Sequence, residues 1–215
     1  MMTYLLMVYA GLVGALTLAE VKGNRTAQRA LKPAAALGFI LMALLWGDLD
    51  DLYGRLILFG LFACAAGDVF LLSRTSPKLF LAGMAAFAIG HLSYLTAFVA
   101  VQDTSFTTGR VVVTGLVIFA FAGVFVWLKP HLPKEMRLPV TAYVIIILLM
   151  VISALGLPVR GPLSVAIMGA LMFAVSDIFV ARDRFVSPAP RNALAITPLY
   201  FCAQALIALS TISVN

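Results

Sequence analysis

Residues 56–74 read LILFGLFACAAGDVFLLSR: twelve residues without a charge, then Asp68, then four more apolar residues before Ser73 and Arg74. Nothing in the run alternates with period two, and its length matches the roughly 20 residues that carry a helix across a bilayer. Lipid offers the backbone no hydrogen bonds, which leaves a helix that satisfies its own. A carboxyl group inside such a helix costs roughly 3 kcal/mol on insertion scales, so it is a functional candidate by default. The stretch thus points both to a membrane fold and to a place where chemistry is expected.

The whole chain agrees with this reading. Of 215 residues, 63% are hydrophobic and only 24 are charged, 15 basic and 9 acidic, where a soluble domain has about a quarter of its residues charged. The mean hydropathy is +1.07. This excess of apolar side chains must face lipid, which excludes a soluble enzyme, a disordered chain and a nucleic-acid binder, despite a pI of 9.6. Breaks at charges, Pro and Gly give eight segments, about 3–19, 32–47, 56–73, 79–101, 111–128, 139–157, 163–181 and 192–213. The expected fold is all-α, a polytopic membrane bundle of eight helices forming one integral membrane domain over residues 1–215. The first segment has no basic residue ahead of it and no cleavage pattern after Glu20, so it reads as a span and not a signal peptide.

The basic residues report orientation. Lys22, Arg25, Arg29, Lys32, Arg74, Lys78, Lys129, Lys134, Arg137, Arg182, Arg184 and Arg191 fall in or beside the odd loops, against Arg55, Arg110 and Arg160 for the even ones. Lys and Arg are retained in the cytoplasm, so odd loops are expected there and both termini outside. With its short loops and no organelle signal, the chain fits a bacterial inner membrane. Seven of the nine acids, Glu20 among them, are assigned to loops or their flanks, leaving Asp68 and Asp177 inside the membrane.

The two aspartates share a context. Gly67-Asp68-Val69-Phe70 returns as Ser176-Asp177-Ile178-Phe179, 109 positions later, each followed within six residues by an arginine. Lys32-Pro33 and Leu138-Pro139 correspond at an offset of 106. A parallel duplication of four helices follows, related by an axis along the membrane normal, which is expected to set helices three and seven face to face. Five or six residues before Arg74 and Arg182 places both carboxyls roughly 8 Å below the interface.

Other polar residues lie in helices four and eight: His91 with Tyr94, and Tyr200 with Gln204, each pair on one helix face. A mid-membrane imidazole needs a partner. On this topology, however, His91 lies about 9 Å deeper than the aspartates, which argues for a supporting role. Lys32, Tyr143 and Asn192 mark the cytoplasmic ends of helices two, six and eight. Gly11, Gly14, Gly38, Gly60, Gly83, Gly90 and Gly169 suggest close helix contacts. Cys64 and Cys202 lie in apolar runs without metal-ligand spacing and read as small hydrophobes. No phosphate loop, nucleophile elbow or zinc motif occurs, and neither a metal nor another cofactor is expected.

These features together resemble the lysoplasmalogenase family, also called YhhN-like, of small eight-helix membrane proteins. The matching residues are Lys32-Pro33, Gly67-Asp68 with Phe70-Leu71, Gly90-His91 with Tyr94, Pro139-Val140 with Tyr143, Gly169-Ala170 with Phe173, Ser176-Asp177, Arg184-Phe185, and Tyr200 with Ala203-Gln204. The resemblance implies hydrolysis of the vinyl-ether bond of a lysoplasmalogen to a fatty aldehyde and glycerophosphoethanolamine or glycerophosphocholine. It implies a lysophospholipid substrate and the bilayer as partners, and leaves the oligomeric state open.

The residues suit that chemistry on their own terms. A vinyl ether hydrolyses when an acid protonates its β-carbon and water captures the resulting oxocarbenium ion. Two carboxyls can divide those tasks, as around the comparable transition state of glycosidases. Close together in low dielectric they resist ionising at once, so such a pair can hold one proton. Asp68 and Asp177 are the expected catalytic pair, with the division of roles open. Lys32, His91, Tyr94, Tyr143, Ser176, Tyr200 and Gln204 are expected in support. Some of Lys32, Arg74, Lys78, Arg182 and Arg184 are expected as a basic rim for the phosphate. The rival reading is a small proton-coupled transporter using the same residues; a metal-dependent hydrolase on Asp68, Asp177 and His91 has weaker spacing behind it.

Overall fold

The structure is a computed structural model in which residues 2–73, 75–103, 105 and 107–212 are described. Eight helices, each long and apolar enough to cross a membrane, follow one another: α1 Met2–Val21, α2 Arg25–Trp46, α3 Leu52–Leu71, α4 Pro77–Val101, α5 Thr108–Leu128, α6 Lys134–Ala154, α7 Leu163–Ala181 and α8 Ala193–Leu209. A π-helical turn, Arg182–Val186, continues α7, and a short 3-10 turn, Pro190–Asn192, leads into α8. The protein is an integral membrane helical bundle.

Local chemistry sets several helix starts. Asn24, Ser76 and Thr107 each accept, through a side-chain oxygen, a backbone N–H three residues on, from Ala27 at 3.1 Å, Leu79 at 3.3 Å and Arg110 at 3.2 Å. The first of these caps corrects a boundary. Helix two begins at Arg25 instead of residue 32, because a capped, amphipathic first stretch carries its charges outward and continues through Pro33. Helix six likewise begins at Lys134 and encloses Pro139, so the two matched prolines sit inside matched helices.

The packing also corrects the expected meeting of helices three and seven. α3 lies along α4, and α7 along α8, while α3 and α7 are not packed on each other. The cause is glycine. A Cβ on Gly67 would fall 2.7 Å from the Phe87 ring, one on Gly83 2.8 Å from Leu71, and one on Gly169 2.8 Å from Ile207 and 3.0 Å from the Ala203 carbonyl. These positions let each pair of backbones approach so closely that the hairpins, not the repeated helices, become nearest neighbours. Gly11 and Gly14, expected at contacts, face open space instead.

The sequence offset of 109 recurs in these contacts. At an offset of 109, Gly60 matches Gly169, Gly67 matches Ser176, Phe87 matches Ile196 and His91 matches Tyr200. Gly67 packs on Phe87 in α4, and Ser176 donates to the Ile196 carbonyl in α8 at 3.2 Å. The first helices of the two halves differ. α1 packs on α2 and α8 and buries six residues, whereas α5 contacts α6 and the turns that follow α5 and α7, and buries only Leu128.

Candidate active site

The duplicated hairpins bring their polar residues together in a crossed arrangement. The Tyr200 hydroxyl, on α8, donates to Asp68 Oδ2, on α3, at 2.6 Å. The partner contact joins α4 to α7: His91 Nε2 lies 3.1 Å from Asp177 Oδ2. Because Asp68 corresponds to Asp177 and His91 to Tyr200, each aspartate bonds to the second hairpin helix of the other half. Asp177 also accepts the Tyr143 hydroxyl at 3.3 Å, and the same hydroxyl lies 3.3 Å from His91 Nε2. Phe173 fills the space between the pairs, its ring 4.3 Å from that of His91 and 5.3 Å from that of Tyr200.

The contact at His91 corrects its expected separation in depth. Side chains of a helix lean toward its N-terminus. α4 starts at the end of the bundle where α7 finishes, so His91 and Asp177 lean toward each other and close the difference in backbone height. The imidazole is fully buried and touches Asp177 without itself lining the cavity.

Both carboxyls line one cavity of about 130 Å³ with Lys32, Tyr143, Ser176, Arg184 and Tyr200. Apart from Thr197, the remainder of its wall is apolar. At the polar end a second hollow of about 140 Å³ shares Lys32 and Arg184 and adds Glu20, Ser73 and Asp183. The Arg184 guanidinium is steered there by the π-helical turn and sits 4.3 Å above the Phe80 ring. An open depression of about 430 Å³ at the other end, lined by Asp103, Arg110 and Gly156, contains none of the expected site residues.

Other expected residues take different places. Tyr94 donates to Gln204 Oε1 at 2.8 Å, and neither residue lines the cavity. This bond ties α4 to α8 beneath the site. Ser176 bonds to backbone and fixes α7 on α8. Of the basic rim, Lys32 and Arg184 reach the two hollows, Arg182 donates to Asn192 Oδ1 at 2.5 Å, and Lys78 lines neither hollow. Arg74 lies outside the described residues. Among the described residues, no three His, Cys, Asp or Glu side chains are grouped to hold a metal ion.

Glu20 is the residue that the sequence reading misplaced. It is 6% exposed, its Oε1 lies 3.0 Å from the Lys32 ammonium, and its Oε2 accepts the Thr197 hydroxyl. α1 runs on to Val21 and lays its last turn across α2 and α8, so this carboxylate is covered instead of solvated. Lys32, in turn, is held in an ion pair and does not simply snorkel. The available signal was faint: Glu20 is the one acid at the border of the first apolar run.

Comparison with known proteins is decisive at the level of family. The sequence profile described as the YhhN family matches residues 27–211. The chain belongs to the YhhN family. Among its relatives is lysoplasmalogenase TMEM86B of Homo sapiens, 36% identical over 160 residues, which cover 74% of this chain and 65% of that protein. TMEM86B of Sus scrofa is 35% identical over 150 residues, 70% of this chain and 60% of that protein. A lysoplasmalogenase of Mycobacterium tuberculosis (strain CDC 1551 / Oshkosh) is 30% identical over 190 residues, 87% and 71%. The matched region thus spans 60–65% of the length of these mammalian relatives. No solved structure matches the chain. Within the YhhN match fall both aspartates, His91, Tyr143 and Tyr200, while Glu20 precedes it.

Proposed function

We propose that this chain is a lysoplasmalogenase, hydrolysing the vinyl-ether bond of a lysophospholipid with Asp68 and Asp177 as its catalytic pair. The observation that carries the proposal is the crossed pair of carboxyls, Asp68 buried and Asp177 part-buried, facing one cavity in a chain whose relatives bear that enzyme's name. The relatives named above are enzymes, which favours hydrolysis over the transporter reading.

Hydrogen-bond accounting suggests how the roles divide. His91 Nδ1 lies 3.2 Å from the thioether sulfur of Met150. A thioether has no hydrogen to give, so we place the ring proton on Nδ1, the tautomer in which Nδ1 donates to the sulfur. Nε2 and Asp177 Oδ2, 3.1 Å apart, then need a further proton between them. That proton is the one available for the substrate. We assign Asp68, which accepts the Tyr200 hydroxyl and shares the cavity with the Lys32 ammonium, as the group that takes the proton of the attacking water.

In this scheme Asp177 delivers its proton to the β-carbon of the vinyl ether, and the electron pair of the double bond forms the new C–H bond. The ether oxygen shares the positive charge as an oxocarbenium ion. Water adds to the α-carbon and gives its proton to Asp68, leaving a hemiacetal. Collapse of the hemiacetal breaks its bond to the glycerol oxygen, which takes a proton as the aldehyde leaves; the hemiacetal hydroxyl loses one, so the acid pair is restored. Lys32 and Arg184 meet the substrate phosphate in the polar hollow.

The charge asymmetry of the loops supports placing this hollow in the cytoplasmic leaflet of a bacterial inner membrane, with both termini of a single integral domain outside. The test is aldehyde release by purified protein. An alkenyl lysophospholipid should yield aldehyde, while its acyl counterpart should yield none. Ion flux in proteoliposomes without aldehyde release would replace the enzyme with the transporter.

A further inference from the structure

The cavity has an arm that the reacting groups do not use. Beyond Tyr143 and Asp177 its wall is formed by Phe121, Val124 and Leu128 of α5, and Val140, Val144 and Ile147 of α6. All six are apolar. The halves differ beside this arm: α1 packs closely on α2 and α8, whereas α5 makes its main contacts with α6 and the turns near its own end and that of α7. These α5 and α6 residues line a space continuous with the carboxyl pair.

We infer that this arm between α5 and α6 is the binding site for the substrate's linear hydrocarbon chain, and that α5 sets which chains fit. The inference rests on the proposed hydrolysis of a lipid ether and adds the tail subsite. Its occupant follows from continuity. The arm leads directly from the carboxyls that act on an sn-1 ether, and its wall offers no polar group to a headgroup. Phosphate chemistry belongs to Lys32 and Arg184, which also line the second, polar hollow.

A lipid chain leaves surroundings as apolar as this wall, so transfer itself gives little and fit decides. Chain selectivity should consequently respond to volume in the arm. α5 supplies its own control: Val124 lines the arm, while Val126, two residues on, is 69% exposed on the outer face.

The test compares medium-chain and long-chain alkenyl lysophospholipids with Val124→Trp and Val126→Trp. Val124→Trp should lower kcat/KM for the long chain about tenfold more than for the medium one, a pocket-volume effect. Val126→Trp should keep the wild-type profile. Parallel profiles for both variants would overturn the inference. A second measurement is independent of turnover: an alkyl-ether lysophospholipid, which cannot hydrolyse, carrying a diazirine at its chain end should label residues 121–128 and 140–147 on their cavity face. Label confined to outward residues such as Phe119 and Val126 would also overturn the inference. If the wild type releases no aldehyde from any chain while the label still maps to the arm, the enzymatic reading fails and the tail site stands.

Discussion

In the first half of the bundle, α1 is pinned to its neighbours by the Glu20–Lys32 ion pair and by the Tyr9 hydroxyl, which donates to the Phe201 carbonyl at 2.9 Å. In the second half, α5 buries only Leu128 and presents Leu116, Phe119 and Val126 outward. The hairpins α3–α4 and α7–α8, by contrast, repeat closely, with glycine contacts and one aspartate each at the same offset. The difference separates two tasks. Helices that stayed alike hold the carboxyls, and the helix that diverged leaves the room beside them. Leaving α5 exposed costs little in a bilayer, because lipid tails are as apolar as its side chains.

The largest expected effects test what the halves share. Asp177→Asn and Asp68→Asn should each reduce aldehyde release by about a thousandfold or more, the scale of a lost acid or base, with helical circular dichroism unchanged. Wild-type turnover in either variant would remove that half from the chemistry.

The crossed partners should then prove unequal. His91→Gln removes the group that shares a proton with Asp177, and should lower kcat about a hundredfold at unchanged KM, with a displaced pH–rate profile. Tyr200→Phe removes one hydrogen bond to a carboxylate and should cost about tenfold. Equal losses with superimposable pH profiles would mean that the two pairs do the same work, contrary to the assigned roles.

Closure of the first half is tested by Glu20→Gln. Loss of the buried carboxylate of this largely buried pair should destabilise by about 3 kcal/mol, read as a lower thermal midpoint in detergent. The exposed Val126→Ala on α5 should change stability by less than about 0.5 kcal/mol. Similar midpoints for the two variants would erase the contrast between α1 and α5.

The smallest effect lies in the loop between α4 and α5. The Asp103 carboxylate accepts the Ser105 amide hydrogen at 2.8 Å, which holds it below the usual carboxylate range, with a lesser contribution from Arg110. Since its folded pKa is depressed, its contribution to stability is present above the ordinary carboxylate value. That contribution disappears as pH falls through the folded one. Asp103→Asn should thus lower the thermal midpoint slightly near neutrality and not at all in strong acid; a larger difference in acid would contradict the sign.

Eight spans, both aspartates and their repeat were legible because lipid makes charge scarce: one Asp in a run such as 56–74 stands out against its neighbours. Tyr143, Tyr200 and His91 were legible as polar groups in apolar helices, although their partners were not. Helical spacing reports which residues share a face and leaves unstated which helices touch, so the crossing of Asp68 to Tyr200 and Asp177 to His91 had to come from packing. Glycines 60, 67, 83, 90 and 169 control that packing, and in sequence they look no different from Gly11 and Gly14, which face open space. Glu20 was hidden for another reason. At the end of a span, a buried acid and a solvated one have the same sequence context.

The most direct test of the central claim is to run aldehyde release in D2O, comparing the wild type with Asp177→Asn and Asp68→Asn. Protonation of the β-carbon by an exchangeable carboxyl predicts a single deuterium on the carbon next to the aldehyde carbonyl. It also predicts loss of product in both variants. Undeuterated aldehyde, or unchanged release from either variant, would contradict catalysis by the crossed carboxyl pair.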